Sequence, residues 1–297
     1  MKDIMGLKDI AFPNMGIYLE ELEQGFYVGD FYIAFYGCFI ALGVVAGIMM
    51  AAHIAKVTGQ DPDLYWDFSI YAVIFSIVGA RSYYVIFSWD EFKDNLLGIF
   101  NLRSGGIAIY GAVIGAFITL FIYAKLKRQN ALLIGDTAVP GLILGQIIGR
   151  WGNFFNREVF GGYTDSLLAM RIPIDAVRDA GDITTDISAH IAEGTNYIQV
   201  HPTFLYESGL NLIVFIAMLL YTKRKKFDGE ICLLYFGGYG IIRFFVEGIR
   251  TDQLLIPGTG IAVSQLVGIV CFVAALVADV VIRTRLKKKK VGENPTD

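Results

Sequence analysis

Apolar residues fall along this chain in seven long runs, at 31–55, 66–88, 105–124, 132–149, 203–222, 231–246 and 261–282. A hydrocarbon core about 30 Å thick takes roughly 20 helical residues to cross, so runs of this length predict membrane spans. The fourth run carries Asp136 and Pro140, and the sixth ends on Arg243. Polar or broken helices are tolerated where they face protein or water instead of lipid. Between the fourth and fifth runs the pattern changes. The stretch MRIPIDAVRDAGDITTDISAHIAEGTNYIQVHP alternates apolar and polar positions among Gly, Asp and Thr, which predicts a small strand-containing cap. The expected fold is an all-α integral membrane protein: a seven-transmembrane-helix bundle from 1–149 and 203–283, a cap at 150–202, and a basic tail at 284–297.

Positive charge orients these spans, because short cytoplasmic loops carry an excess of Lys and Arg. Fourteen of the 25 basic residues sit in four short segments: Lys56; Lys125, Lys127 and Arg128; Lys223 to Lys226; and the tail from Arg283 to Lys290. Seven spans and this alternation predict an extracytoplasmic N-terminus, a cytoplasmic C-terminus and an extracytoplasmic cap. The tail reads as a juxtamembrane lipid anchor with a disordered end. The first residues lack the charged-then-apolar build of a cleavable signal peptide, so the first helix is expected to do the targeting.

Composition adds two exclusions and one feature. Cys38, Cys232 and Cys271 lie far apart inside apolar runs, which gives neither a disulfide frame nor a zinc-ligand spacing. The 33 glycines recur at intervals of four, as at Gly43/Gly47, Gly111/Gly115 and Gly141/Gly145/Gly149. Such faces let helices approach closely.

Placing each polar residue by depth, Tyr36, Arg81, Tyr110, Arg150, Glu207, Arg243 and Gln265 all fall in the outer half of the membrane. Asp67, Asp136 and Asp279 fall near the inner face and read as helix-end or structural charges. Ionisable groups are expensive in lipid and mark a working site when they gather. Arginine suits phosphate, being planar, permanently charged and forked. The third run opens with Arg103-Ser104-Gly105-Gly106, where free N–H groups at a helix start also favour an anion. The expectation is a phosphate headgroup held in the outer leaflet.

The segment Gly149-Arg150-Trp151-Gly152-Asn153-Phe154-Phe155-Asn156-Arg157-Glu158-Val159-Phe160-Gly161-Gly162 interleaves polar groups with aromatics, as an interfacial stretch with one wet face does. It resembles the signature of the prolipoprotein diacylglyceryl transferases, bacterial inner-membrane enzymes. Further matches are Phe35-Tyr36-Gly37, Gly79-Ala80-Arg81, Asp136 with Pro140, His201-Pro202 with Leu205-Tyr206-Glu207, and Arg243-Phe244-Phe245-Val246-Glu247 with Arg250. Together they cover nearly the whole chain in order.

The resemblance implies transfer of the diacylglyceryl group of phosphatidylglycerol to the lipobox cysteine thiol of a preprolipoprotein signal peptide. The products would be a thioether and glycerol phosphate, and no cofactor or metal would be needed. Catalytic roles are expected for Arg150, Arg243, Glu158 and Tyr110. Substrate-binding roles are expected for Tyr36, Arg81, Gly105, Gly106, Asn153, Asn156, Gly161, His201, Glu207, Glu247 and Arg250. One position departs from the family: its His-Gly pair is Tyr110-Gly111 here. A phenol with pKa near 10 is protonated at neutral pH, so Tyr110 is expected to donate a hydrogen bond and not to act as the base. Two other readings compete, a multi-pass transporter and a non-catalytic lipid-binding scaffold. Against the first, the chain has no inverted repeat and its polar groups avoid the midplane; an activity assay separates the second.

Overall fold

The computed structural model describes residues 4–102 and 105–293. Its helices are α1 (Phe35–Val57), α2 (Pro62–Phe87), α3 (Ile109–Lys127), α4 (Ala131–Asn156), a five-residue α5 (Thr185–Ala189), α6 (Thr203–Thr222), α7 (Glu230–Ile249) and α8 (Val263–Glu293). Among the described residues, all of these except α5 are long and apolar enough to cross a membrane, which makes seven. Large side chains such as Ile74, Ile114, Leu220 and Val273 stand exposed along them. That is what lipid permits, since it gives an aliphatic side chain no reason to turn inward.

The strands are β1 (Ile10–Phe12), β2 (Ile17–Leu19), β3 (Gly25–Val28), β4 (Phe31–Ala34), β5 (Met170–Pro173) and β6 (Tyr197–Val200). The expected cap strands β5 and β6 pair antiparallel, but the sheet also recruits the N-terminal segment, in the order β2-β1-β5-β6. A second correction concerns 31–34, which belong to the β3–β4 hairpin and not to the first helix. The aromatic and branched residues of Gly25-Phe-Tyr-Val-Gly-Asp-Phe-Tyr-Ile-Ala34 raise hydropathy as a span would, while Gly29 at φ +61° makes the tight turn. A third is α8, which continues as helix through the basic stretch to Glu293. Residues 294–297, where a disordered end was expected, lie outside the described residues.

The chain forms two compact units, Met1–Gly47 with Leu142–Lys226 and Leu233–Asp297, and Ile48–Gly141 with Phe227–Cys232. In the first, the sheet closes over Ile10, Phe12, Phe154, Phe160, Met170, Ile172, Ile187, Ile198, Val200 and Phe204. Each such side chain contributes on the order of 2 kcal/mol by leaving water, and together they clamp the end of α4 and the start of α6 beneath the strands. Lower down, α1 and α4 meet where a Cβ on Gly43 would lie 2.9 Å from the Gly145 carbonyl oxygen.

In the second unit α2 and α3 cross equally closely: a Cβ on Gly79 would sit 2.4 Å from the Gly111 carbonyl oxygen. Asp136 accepts from the Gly229 and Cys232 N–H groups at 2.8 and 2.9 Å. It thereby caps the start of α7, matching the structural role read from its depth.

Candidate active site

In the first unit α4 overruns its expected end at 149 by two turns, so the signature begins as helix. It stops in a Schellman motif: the Arg157 N–H reaches the Phe154 carbonyl and the Glu158 N–H reaches that of Asn153, both at 3.2 Å. The left-handed position, normally glycine, is held by Arg157 at φ +54°. Its guanidinium offsets that strain by donating to the carbonyls of Phe155, Lys8 and Leu22 at 3.2, 2.9 and 2.7 Å.

Beyond the cap, the signature threads between two helices. Gly161 N–H donates to the His201 carbonyl at 2.9 Å, His201 N–H to the Gly162 carbonyl at 3.0 Å, and Gly162 N–H to the Ile249 carbonyl at 3.0 Å. Only glycine fits at 161, where a Cβ would stand 2.7 Å from the Ile249 oxygen and 2.8 Å from the His201 Cβ. This backbone ladder ties the loop to the start of α6 and the end of α7.

The side chains held there form one continuous ionic chain. Glu207 of α6, 1% exposed, lies between Arg150 of α4 and Arg243 of α7. One carboxylate oxygen accepts from Arg150 at 2.6 Å and from the Tyr239 hydroxyl at 3.3 Å; the other accepts from Arg243 at 3.2 Å. Arg243 also pairs with Glu247, Glu247 with Arg250 at 3.5 Å, and Arg250 with Asp252 at 2.5 Å. In the other direction Arg150 donates to Asn153 at 3.3 Å, and Asn153 to Glu158 at 2.9 Å. Glu158 also accepts from Asn156 at 3.2 Å and from Arg178 at 2.8 Å. Tyr36 flanks this row, packed so closely on α4 that a Cβ on Gly152 would meet its ring at 2.9 Å.

Electrostatics explain the alternation. A buried guanidinium without a counter-charge costs several kcal/mol, so each arginine is interleaved with a carboxylate. Burial opposes the charge on Arg250, but the hydrogen bond and charge of Asp252, with Glu247, win and raise its pKa. Burial likewise pushes against the Asp252 carboxylate, and Arg250 overcomes it, holding that carboxyl below its ordinary value. His201 is moved the other way: burial lowers its pKa, which leaves a neutral ring whose Nδ1 lies 3.1 Å from the Tyr206 hydroxyl. A guanidinium has five N–H donors. Arg150 and Arg243, on opposite oxygens of Glu207, each carry more donors than these contacts use.

The structure brings Arg150, Asn153, Asn156, Glu158, Glu207, Arg243, Glu247 and Arg250 into this chain, with Tyr36, Gly161 and His201 beside it. Arg81, Gly105, Gly106 and Tyr110 belong to the second unit. There Arg81, 6% exposed, donates to the carbonyls of Gly98, Ile99, Asn101, Gly105 and Gly106 at 2.7–3.2 Å. Gly106, at φ +73°, leaves no room for a Cβ, which would stand 2.6 Å from the Arg81 guanidinium. Tyr110 is the second residue of α3, 6.4 Å ring to ring from Tyr83. Arg103 and Ser104 of the expected anion-binding turn lie outside the described residues.

Three members of the chain were not anticipated. Tyr239 had a visible signal: Tyr235, Tyr239, Arg243 and Glu247 repeat every four residues and so share one face of α7. Arg178 and Asp252 sit in loops, where no periodicity marks them.

Comparison with known proteins shows the family. A family model described as prolipoprotein diacylglyceryl transferase matches residues 24–281. A phosphatidylglycerol–prolipoprotein diacylglyceryl transferase of Finegoldia magna is 41% identical over 258 residues, covering 86% of this chain and 92% of the relative. Enzymes of the same name from Clostridium botulinum (strain Loch Maree) and Clostridioides difficile (strain 630) are 38% and 36% identical. They cover 84% and 88% of this chain, and 93% and 95% of their own lengths.

Proposed function

Because the chain belongs to the prolipoprotein diacylglyceryl transferase family, we propose that Arg150 and Arg243, braced by Glu207, hold the phosphate diester of phosphatidylglycerol during transfer. The chain is a multi-pass membrane transferase of lipoprotein maturation, acting on phosphatidylglycerol and a prolipoprotein. In our reading the acceptor is the lipobox cysteine and the membrane is the bacterial cytoplasmic (inner) membrane. The N-terminus and the strands face outward, so the site meets the outer leaflet.

The substrate thiol attacks the glyceryl carbon that carries the phosphate. A C–S bond forms, the C–O bond breaks, and the thiol proton passes to the departing glycerol phosphate. Charge grows on the leaving phosphate, where preorganised guanidinium donors stabilise it without reorganising. The observation that carries this reading is the single buried carboxylate spacing two arginines on different helices. Glu247 and Arg250 extend the brace on one side; Asn153, Asn156 and Glu158 extend it on the other. Gly161 and His201 hold the loop, and Tyr36 lines the site. Arg81, with its donors turned to main-chain carbonyls, shapes the Gly105-Gly106 turn ahead of Tyr110, which donates a hydrogen bond to lipid phosphate or ester oxygen.

The test is purified protein with phosphatidylglycerol and a lipobox peptide, following glycerol phosphate release. Release that needs both substrates and disappears when the peptide cysteine is replaced by serine supports the reading. Release without peptide would make the protein a phospholipase and sink it.

A further inference from the structure

At the end of α4 the first unit carries a solvent-open pocket of about 480 Å³, within the size range of small-molecule sites. Lys8, Glu23, Asn156, Arg157, Asp175 and Arg178 bring charge or polarity to its lining. Two of these, Asn156 and Arg178, bond Glu158, which leads through Asn153 to Arg150. The cavity is therefore three side-chain links from the arginine pair. Its walls come from outside the spans, except at the last residue of α4.

The cations lining it differ in one respect. Lys8 is paired with Glu23 at 2.5 Å and Arg178 with Glu158 at 2.8 Å. Arg157, only 2% exposed, meets main-chain carbonyls alone, and its Nε has no hydrogen-bond partner. Burial lowers its pKa, and Glu23 and Asp9 act against that from a distance. A buried guanidinium with no carboxylate of its own, beside a cavity of this size, is chemistry suited to an anion.

We propose that this cavity receives the glycerol phosphate released by the transfer, on its way from the arginine pair to water. The assignment rests on the reading of the reaction given above. Charge favours the product over the lipid. A phosphate monoester carries nearly two negative charges at neutral pH because its second ionisation lies near 6, whereas the diester carries one.

Titration calorimetry of glycerol phosphate, and separately inorganic phosphate, into the purified protein in lipid nanodiscs lacking phosphatidylglycerol tests this. Both anions bind the unaltered chain and Arg150→Gln. Arg157→Gln weakens binding about tenfold or more, the loss of one charge-assisted contact. Because Arg157 also fastens the N-terminal segment, Ala176→Trp provides a second route, filling the cavity from its wall without touching the guanidinium. It should weaken binding to the same degree, remove inhibition of turnover by added glycerol phosphate, and leave KM for phosphatidylglycerol unchanged. Affinity that survives both Arg157→Gln and Ala176→Trp overturns the proposal. So does a KM for phosphatidylglycerol that rises in step with the lost binding, which would make the lipid headgroup the occupant. Binding needs no turnover, so a chain that binds through Arg157 yet transfers nothing would refute the reaction and leave the anion site standing.

Discussion

Replacing Glu207 by glutamine isolates the brace from the arginines it holds. The side chain keeps its shape, but the charge between Arg150 and Arg243 disappears. One of its two acceptor oxygens also becomes an NH2 facing a guanidinium, donor to donor. The carboxylate is 1% exposed and accepts three hydrogen bonds, two of them ionic, so water cannot make good the loss. Removing one partner of a buried pair costs about 3–5 kcal/mol of stability. In the reaction, one guanidinium loses its fixed position, worth about 2–4 kcal/mol of transition-state stabilisation, or roughly 30- to 1000-fold in turnover. The site gains a net positive charge, so KM for the anionic lipid should stay level or fall, and the loss should appear in kcat. Glycerol phosphate release from phosphatidylglycerol and a lipobox peptide measures this, with thermal unfolding run in parallel. Arg243→Ala should be similarly impaired, and the double variant should lose less than the sum because the two share one interaction. Turnover by a folded Glu207→Gln protein within twofold of the unaltered chain would refute the braced-pair mechanism.

Other outcomes follow from single features. Tyr110→Phe should reduce turnover by about 1–2 kcal/mol, the scale of one hydrogen bond, and Tyr110→His should retain activity; a Tyr110→Phe protein as inactive as Arg243→Ala would mean that the phenol titrates in the reaction. A reporter fused after Arg128 or Lys226 should be cytoplasmic and one inserted near Asp182 external, and the reverse pattern would remove the outer-leaflet reading. Arg250 holds the Asp252 carboxyl below its ordinary value, so the pair's contribution is complete above about pH 4 and is lost as pH falls through the depressed value. The melting temperatures of the unaltered chain and Asp252→Asn should therefore converge in acid and separate toward neutrality; a gap that does not vary with pH would contradict it.

The spans were legible because membrane crossing sets a length, and seven apolar runs met it. What hydropathy could not separate was apolar strand from apolar helix. Residues 31–34 read as the start of a span because Phe, Tyr and Ile serve both structures, and only Gly29-Asp30 hinted at a hairpin. The β1–β2 segment was hidden for another reason: its partner β5 lies some 160 residues away in sequence, and three-residue strands carry almost no periodicity of their own. At α4 the polar residues after Arg150 suggested an interfacial stretch. The helix instead runs on to a left-handed arginine, a position at which glycine is the expected signal.

The site divides along the same line between local and distant partners. Arg243 and Glu247, four apart on one helix, could be paired from spacing alone. Arg150 and Glu207 are 57 residues apart on different helices, and nothing in either run announces the other. Depth placed both in one leaflet, which is as far as a one-dimensional pattern goes. Charge balance supplies a further constraint that sequence can use. A buried arginine calls for a counter-charge at its own depth, so Arg150, Arg243 and Arg250 together demand about three carboxylates at that depth. Glu207, Glu247 and Asp252 are the ones that meet them. Arg81 and Arg157 meet main-chain carbonyls instead, and Arg157 does so at the wall of a pocket. A cation with no carboxylate of its own and an unpartnered Nε beside a pocket is where a transient anion has the most to gain.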